Sequence, residues 1–333
     1  MKEALHYTVR DDGKVQCRLC PHHCVLSDGK RGICRVRENR GGKLYSLVYE
    51  MPCAIHVDPI EKKPLYHFLP GSLSMSVGTA GCNMTCMHCQ NWELSNSDPE
   101  KIPCSRLDTD TLVSRSREQD CRSIAYTYNE PGINYEYVLE ASKKARDNGL
   151  KNVLVTNGYL EIDPGKQLYP FIDAANVDLK GFNDSFYRKI CGAKLQPVLD
   201  TLKLLKEMNV WIEVTTLVIP GYNDSDEEIE KMCKWIVENL GKEYPLHFSA
   251  YYPAHKLQDA PPTPIGTLER ARDIAVDEGI RYVYLGNVRT PAVTMCPSCG
   301  EEVLSRNIFR MSANKLDDGK CNNCGTTLPG VWS

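Results

Sequence analysis

The stretch GTAGCNMTCMHCQNW, Gly78 to Trp92, decides how this chain is read. It sets Cys82, Cys86 and Cys89 at C-x3-C-x2-C spacing, led by glycines, with no fourth cysteine close by. Iron–sulfur clusters are held by cysteine thiolates, so these three can hold three irons of a 4Fe-4S cluster. The fourth iron is left for another ligand, which a catalytic cluster needs and a purely electron-carrying one does not. Structural zinc, by contrast, takes four protein ligands. His88 lies between two of the cysteines in sequence and is poorly placed to close the same tetrahedron. The bland alternative is three buried cysteines, which makes this spacing accidental.

Outward from the loop, the chain alternates strand and helix. LSMSVG, from Leu73, is a strand running into the cysteines, and SIAYTY, from Ser123, is the next. A helix follows with Ile133, Tyr137, Val138, Ala141 and Ala145 on one face and Gly149 as its stop. NVLVTNG, NVDLKG, VWIEVTTLVIPG, PLHFSAYYP and YVYLGN are further strands with helices between them. Ser225 and Glu228 form a candidate capping box before the helix from Asp224 to Leu240. Repeated β-then-α units make right-handed crossovers between parallel strands, about six by pattern. Periodicity leaves an open sheet and a partial or complete barrel equally allowed. In each, reactive groups gather at the carboxyl ends of strands, where the cysteine loop, NEP, TNG, DLKG and IPGYN all fall.

Composition narrows the class. The chain has 333 residues, 42% hydrophobic and 25% charged, which fits a soluble protein with a sizeable core. No run of 18 apolar residues suggests a membrane span, and the polar start lacks a signal peptide's apolar middle; a cytoplasmic location is expected. A formal charge of −3 argues against a long nucleic-acid partner. Sixteen cysteines without a targeting segment point to metal or cluster ligation rather than disulfides.

Two further cysteine groups flank the central one. Cys296, Cys299, Cys321 and Cys324 have zinc-ribbon spacing, each C-x2-C knuckle followed by glycine, and Zn2+ is the expected ion. Cys17, Cys20, Cys24 and Cys34 suit zinc or an auxiliary cluster, with His22 or His23 able to replace one thiolate. Cys53, Cys104, Cys121, Cys191 and Cys233 read as small core residues. Asp58, Glu61, Lys62 and Lys63 are either substrate contacts or a solvated charge run. The domain division expected is 1–70, an N-terminal Cys-rich module; 71–290, the catalytic unit; and 291–333, a zinc-ribbon-like module.

The motif C-NMT-C-MH-C resembles the signature of the radical SAM superfamily, with His88 in a slot that is usually aromatic. From about residue 73 to 290 the resemblance implies an α/β fold, a partial (β/α)6 TIM-type barrel. It also implies a 4Fe-4S cluster whose open iron binds S-adenosylmethionine, giving a 5′-deoxyadenosyl radical that abstracts hydrogen from a substrate. An electron donor such as a ferredoxin or flavodoxin is implied with it. Within the superfamily the chain looks like pyruvate formate-lyase activating enzymes. AYTYNEPGIN looks like their glycine-glycine-glutamate strand, which puts Asn129 and Glu130 at the methionyl ammonium. Thr156, Asn157 and Gly158 look like the next strand end, where Val155 replaces an aspartate of their monovalent-cation site. Asp178 and Lys180 look like the aspartate-x-lysine pair, with Lys180 for the methionine carboxylate and His255, in YYPAHK, for the ribose.

CRLCPHHC…GICRVR, DPIEKKPLYHFLPGS, GCNMTCMHCQN, TYNEP and the PGVW tail resemble the radical SAM enzymes of the AmmeMemoRadiSam system. That resemblance implies association with Memo-family and AMMECR-family proteins and names no reaction. Three functions follow as expectations. The first is a radical SAM enzyme with an unidentified substrate, small molecule or protein. The second is an activase that installs a glycyl radical on a partner enzyme. The third is a non-enzymatic, metal-stabilised binding or scaffold protein.

Overall fold

Strands whose residues are apolar on both faces need covering on both faces, and here helices supply one cover and the sheet's own curvature the other. The computed structural model describes residues 1–333. Its main sheet has eight strands: β1 (Ala54–Pro59), β2 (Leu73–Gly78), β3 (Cys121–Tyr126), β4 (Lys151–Thr156), β5 (Ala174–Asp178), β6 (Trp211–Val218), β7 (Leu246–Ala250) and β8 (Val283–Gly286). They lie side by side in chain order. β2 to β8 are parallel, and β1 pairs antiparallel with β2 at one edge. β1 and β8 are not paired, so the barrel is partial, with six β/α units closed off by a seventh parallel strand.

The connecting helices are α1 (Thr109–Glu118), α2 (Tyr135–Asp147), α3 (Ile162–Leu168), α4 (Gln196–Glu207), α5 (Asp226–Asn239) and α6 (Ile265–Asp277). Met75 and Val77 of β2, Tyr126 of β3 and Tyr137, Val138, Ala141 and Ala145 of α2 join one large apolar cluster. Ile133, expected at the start of α2, lies instead in a 3-10 turn over Pro131–Asn134. Asp108 caps α1 by accepting from the Thr111 N–H at 2.8 Å. Ser225 caps α5 through the Glu228 N–H at 3.3 Å. The reciprocal half of that box is absent. The Glu228 carboxylate turns away to accept from Phe182 N at 2.6 Å and Asn183 Nδ2 at 2.5 Å, which ties α5 to the loop after β5.

A plug fills the amino-terminal mouth of the sheet. Ile60, Leu65, Phe68 and Leu69 pack on Ala125, Val153 and Ala174. The tail covers the plug, with Leu69 N donating to Val331 O at 2.7 Å and Val331 N to His67 O at 2.8 Å. Glu213, fully buried in β6, holds this assembly from below. It accepts from the Tyr66 and His67 N–H groups at 2.8 and 2.7 Å, from Trp211 Nε1 at 3.2 Å and from His247 at 2.7 Å. Such a carboxylate leaves several buried donors orphaned when removed.

The charge run before the sheet is not solvated. Asp58, Glu61 and Lys63 are buried, and Lys62 remains near the surface. Asp58 accepts from Lys62 at 2.8 Å, Lys63 at 2.7 Å and Tyr128 Oη at 2.7 Å. Burial opposes its ionisation, but these three donors win and hold the carboxyl well below the usual carboxylate range. Cys53 and Cys104 are also not separate core residues: they are bonded to each other across 51 positions. Cys121, Cys191 and Cys233 are buried thiols.

Replacing Glu213 with alanine is expected to lower stability by about 3 kcal/mol, read as a lower urea midpoint. An unchanged midpoint would contradict the role of this carboxylate.

Candidate active site

The loop after β2 is held from several sides before any cofactor is considered. Thr85 N and Met87 N donate to Cys191 O and Ile190 O, both at 2.9 Å, and Lys256 N and Leu257 N donate to Met87 O at 2.9 and 3.0 Å. Gly81 N donates to Leu94 O at 3.0 Å. Gly81 has φ +86°, and a Cβ there would stand 2.3 Å from Cys34 O, so backbone packs on backbone and only glycine fits. Asn129 fixes the loop's entry: its Nδ2 donates to Gly81 O at 2.7 Å and its Oδ1 accepts from Thr79 N at 3.2 Å.

Strand ends β3 and β4 are joined by Glu130. This buried carboxylate accepts from Gly132 N at 2.7 Å, Thr156 Oγ1 at 2.9 Å and Asn157 N at 2.8 Å. Burial nevertheless outweighs those hydrogen bonds and pushes its carboxyl up to about 7. Asn157 then reaches into the cysteine loop, with Nδ2 2.9 Å from Asn83 Oδ1 and 3.7 Å from Cys82 Sγ. At the end of β5, Lys180 Nζ lies 2.8 Å from Asp178 Oδ2. Burial opposes the Lys180 charge, but Asp178 and the thiols of Cys86 and Cys191 favour it, and the ammonium titrates well above the usual lysine range.

His255 arrives from the loop after β7. Its ring stacks on Trp92 with centroids 5.3 Å apart and planes 15° apart, and Nε2 lies 3.4 Å from Asn96 Nδ2. Trp92 is 41% exposed, so this pair presents a flat aromatic surface beside the cysteine loop. His255 has φ +53° and Tyr128 has φ +74°. Left-handed backbone at a bulky residue is costly and clusters at functional sites.

Of the strand-end residues, Asn157 reaches Cys82 and Asn129 holds Gly81 of the cysteine loop, Glu130 and Thr156 brace Asn157, Asp178 pairs with Lys180, and His255 stacks on Trp92 just after the loop. His88 sits in its slot as an aromatic ring, buried and stacked on Phe186 at 6.2 Å. Burial, with Lys180 nearby, pushes its imidazole down to about 3, so it is neutral. The sequence reading missed Trp92 and Cys191. Cys191 lies beside Cys86, and the two sulfurs and a ring nitrogen of His88 fall within 4.8 Å of one another. Nothing local marks Cys191; it sits at the end of a helical turn far along the chain. For Trp92, the signal was its place directly after the motif.

The donor set fits a 4Fe-4S cluster. Burial pushes the Cys82 thiol well above the usual range and raises Cys89 too, so thiolates form here when a metal takes the proton's place. Cys86 shifts the other way, through its hydrogen bond with Cys191. The triad's sulfurs do not gather within 4.8 Å of one another, as ligands of one zinc ion would. Each thiolate of a cluster binds a different iron. The C-terminal quartet does gather: Cys296 and Cys324 sulfurs are 3.6 Å apart, Cys299 and Cys321 3.7 Å, and all four lie within 4.8 Å. That group suits one tetrahedral ion.

The model of the radical SAM superfamily matches residues 76–236. An uncharacterised protein of Methanocaldococcus jannaschii is 45% identical over 332 residues, covering 98% of this chain and 99% of its own. The pyruvate formate-lyase 1-activating enzyme of Escherichia coli K12 is 21% identical, covering 61% of this chain and 89% of its own. Among solved structures, Streptococcus suis SuiB bound to S-adenosylmethionine has the same fold at TM-score 0.51 and 12% identity, covering 68% of this chain and 52% of that one. The chain therefore spans about half of SuiB. This chain belongs to the radical SAM superfamily. No helix is long and apolar enough to cross a membrane.

A raised carboxyl favours the folded state while protonated. Stability from Glu130 is thus present below its ordinary value of 4.5 and is lost as pH rises through about 7. In the metal-free chain, Glu130→Gln is expected to flatten the fall in unfolding free energy across that window, a difference of about 3 kcal/mol. Parallel slopes for the two proteins would contradict it.

Proposed function

We propose that this chain is an S-adenosylmethionine-dependent radical enzyme whose site is built on Cys82, Cys86 and Cys89. The observation that carries this reading is the convergence of Glu130, Asn157, Lys180 and His255 on a loop that offers three thiols and no fourth. When bound, a 4Fe-4S cluster supplies the electron that cleaves the sulfonium to methionine and a 5′-deoxyadenosyl radical, which takes hydrogen from substrate.

The chain's own groups bind and orient. Lys180 offers a half-buried ammonium to the methionine carboxylate. Glu130 offers its carboxyl to the methionyl ammonium and, with Asn129, fixes the strand ends beside that group. Thr156 and Asn157 set the next strand end, and Asn157 steadies Cys82. Trp92 and His255 form a stacking platform for the adenosine. Val155, in the place of an acid, leaves no carboxylate there for a monovalent cation.

A second reading is that the substrate is a protein and the chain installs a glycyl radical on it. It is favoured by relatives named as activating enzymes for pyruvate formate-lyase 1 and for 4-hydroxyphenylacetate decarboxylase. Membership of the AmmeMemoRadiSam group, with Memo-family and AMMECR-family partners and a ferredoxin or flavodoxin donor, belongs to this proposal, as do residues 1–70, 71–290 and 291–333 as modules. Zinc in the C-terminal quartet is part of it too. A scaffold role would leave the strand-end constellation without a purpose.

Anaerobic reduced protein is expected to convert S-adenosylmethionine to 5′-deoxyadenosine, and Cys86→Ala to lose that product by at least about a thousandfold. Deuterated candidate substrates identify the partner by label in the product. Absence of 5′-deoxyadenosine with or without cell extract would sink this reading.

A further inference from the structure

The N-terminal cysteines open onto a different kind of space from the C-terminal ones. Cys17, Cys20, Cys24 and Cys34 together line one partly enclosed cavity, walled by Leu19, Leu26, Ile33 and Ile133. One zinc ion with 2.3 Å bonds draws its sulfurs to about 3.8 Å from each other. The C-terminal quartet has that closeness, at 3.6 and 3.7 Å. In the N-terminal quartet no three sulfurs come within 4.8 Å of one another. These four thiols are thus less closely gathered than the C-terminal quartet and surround a void.

Three other observations point into the same void. Gly32 faces it without a side chain: a Cβ there would lie 3.5 Å from Cys24 Sγ and 3.7 Å from Cys34 Sγ. Arg37 also lines it and is only 1% exposed. One arm of its guanidinium is spent, since Nη2 pairs with Glu136 and Leu5 O. Its Nε and Nη1 are buried and have no partner. Orphaned charged donors in an apolar wall are costly unless an acceptor belongs there. Finally, the Nε2 atoms of both nearby histidines are tied elsewhere. His22 Nε2 is bonded to Asn83 O at 2.7 Å, and His23 Nε2 lies 2.8 Å from Glu161.

We propose that Cys17, Cys20, Cys24 and Cys34 hold a second four-iron, four-sulfur cluster rather than a zinc ion. Four thiolates occupy four irons, so no iron is open and this cluster does not bind S-adenosylmethionine. Its net negative charge, spread over sulfides and thiolates, accepts from the free N–H groups of Arg37. The site touches the first one through the protein. Cys34 O packs on Gly81, and His22 bonds the carbonyl of Asn83, the residue after Cys82.

The test is metal and sulfide counting on the full chain, reconstituted anaerobically with ferrous iron and sulfide, with Mössbauer spectra to certify clusters. Wild type should hold about eight irons and eight sulfides. The variant Cys82→Ala/Cys86→Ala/Cys89→Ala should keep about half, with a spectrum that S-adenosylmethionine does not change. Wild type with about four irons, all lost in the triad variant, and two zinc ions per chain would overturn the assignment. Four irons that survive loss of the triad but vanish in Cys20→Ser/Cys34→Ser would instead break the reading of the first site. If the triad variant does not fold, the wild-type count still separates eight irons from four.

Discussion

A thiol withdrawn from water does not ionise unaided, and the centre of this molecule contains several. Cys82 and Cys89 are each pushed up by burial, in a loop so tightly packed that Gly81 has no room for a methyl group. The cost of making thiolates there is met by metal, and the surrounding structure is arranged to bring that about. Lys180 adds positive charge beside Cys86, and Asn157 offers an N–H to Cys82. Each of these groups stands at the carboxyl end of a different parallel strand, where the fold gathers side chains from distant parts of the chain.

The amino-terminal mouth is handled by opposite means. There the requirement is closure, and the residues 60–69 plug, the Glu213 acceptor and the tail strand at Val331 provide it. Tyr128 reaches across that side to Asp58, which also carries Lys63. A buried ion pair held by three donors is poorly suited to driving stability and well suited to fixing position.

Much of this was legible before any coordinates. Strand ends are read from apolar runs that stop at TYNEP, TNG, DLKG and IPGYN, and the radical SAM loop from its spacing. The legible parts share a cause: each is local in sequence. What escaped was long-range. Nothing around Cys191 predicts that it meets Cys86, and the Cys53–Cys104 bond joins two loops 51 positions apart. The acids and lysines of DPIEKK look solvated by composition; three of them are buried because they neutralise one another or accept backbone N–H groups. Glu228, in place for a capping box, is claimed by Phe182 and Asn183 across a loop instead. The seventh parallel strand, β8, was visible as YVYLGN, yet counting by β/α units stops at six.

The central claim is that Cys82, Cys86 and Cys89 leave one iron open and that the strand-end residues hold S-adenosylmethionine on it. Electron–nuclear double resonance on the reduced protein, with the methionyl amine labelled by nitrogen-15, tests it directly. A nitrogen coupling to the cluster is expected to appear with the labelled compound and to disappear in Cys86→Ala. A reduced cluster whose spectrum is indifferent to S-adenosylmethionine, with no nitrogen coupling, would contradict it.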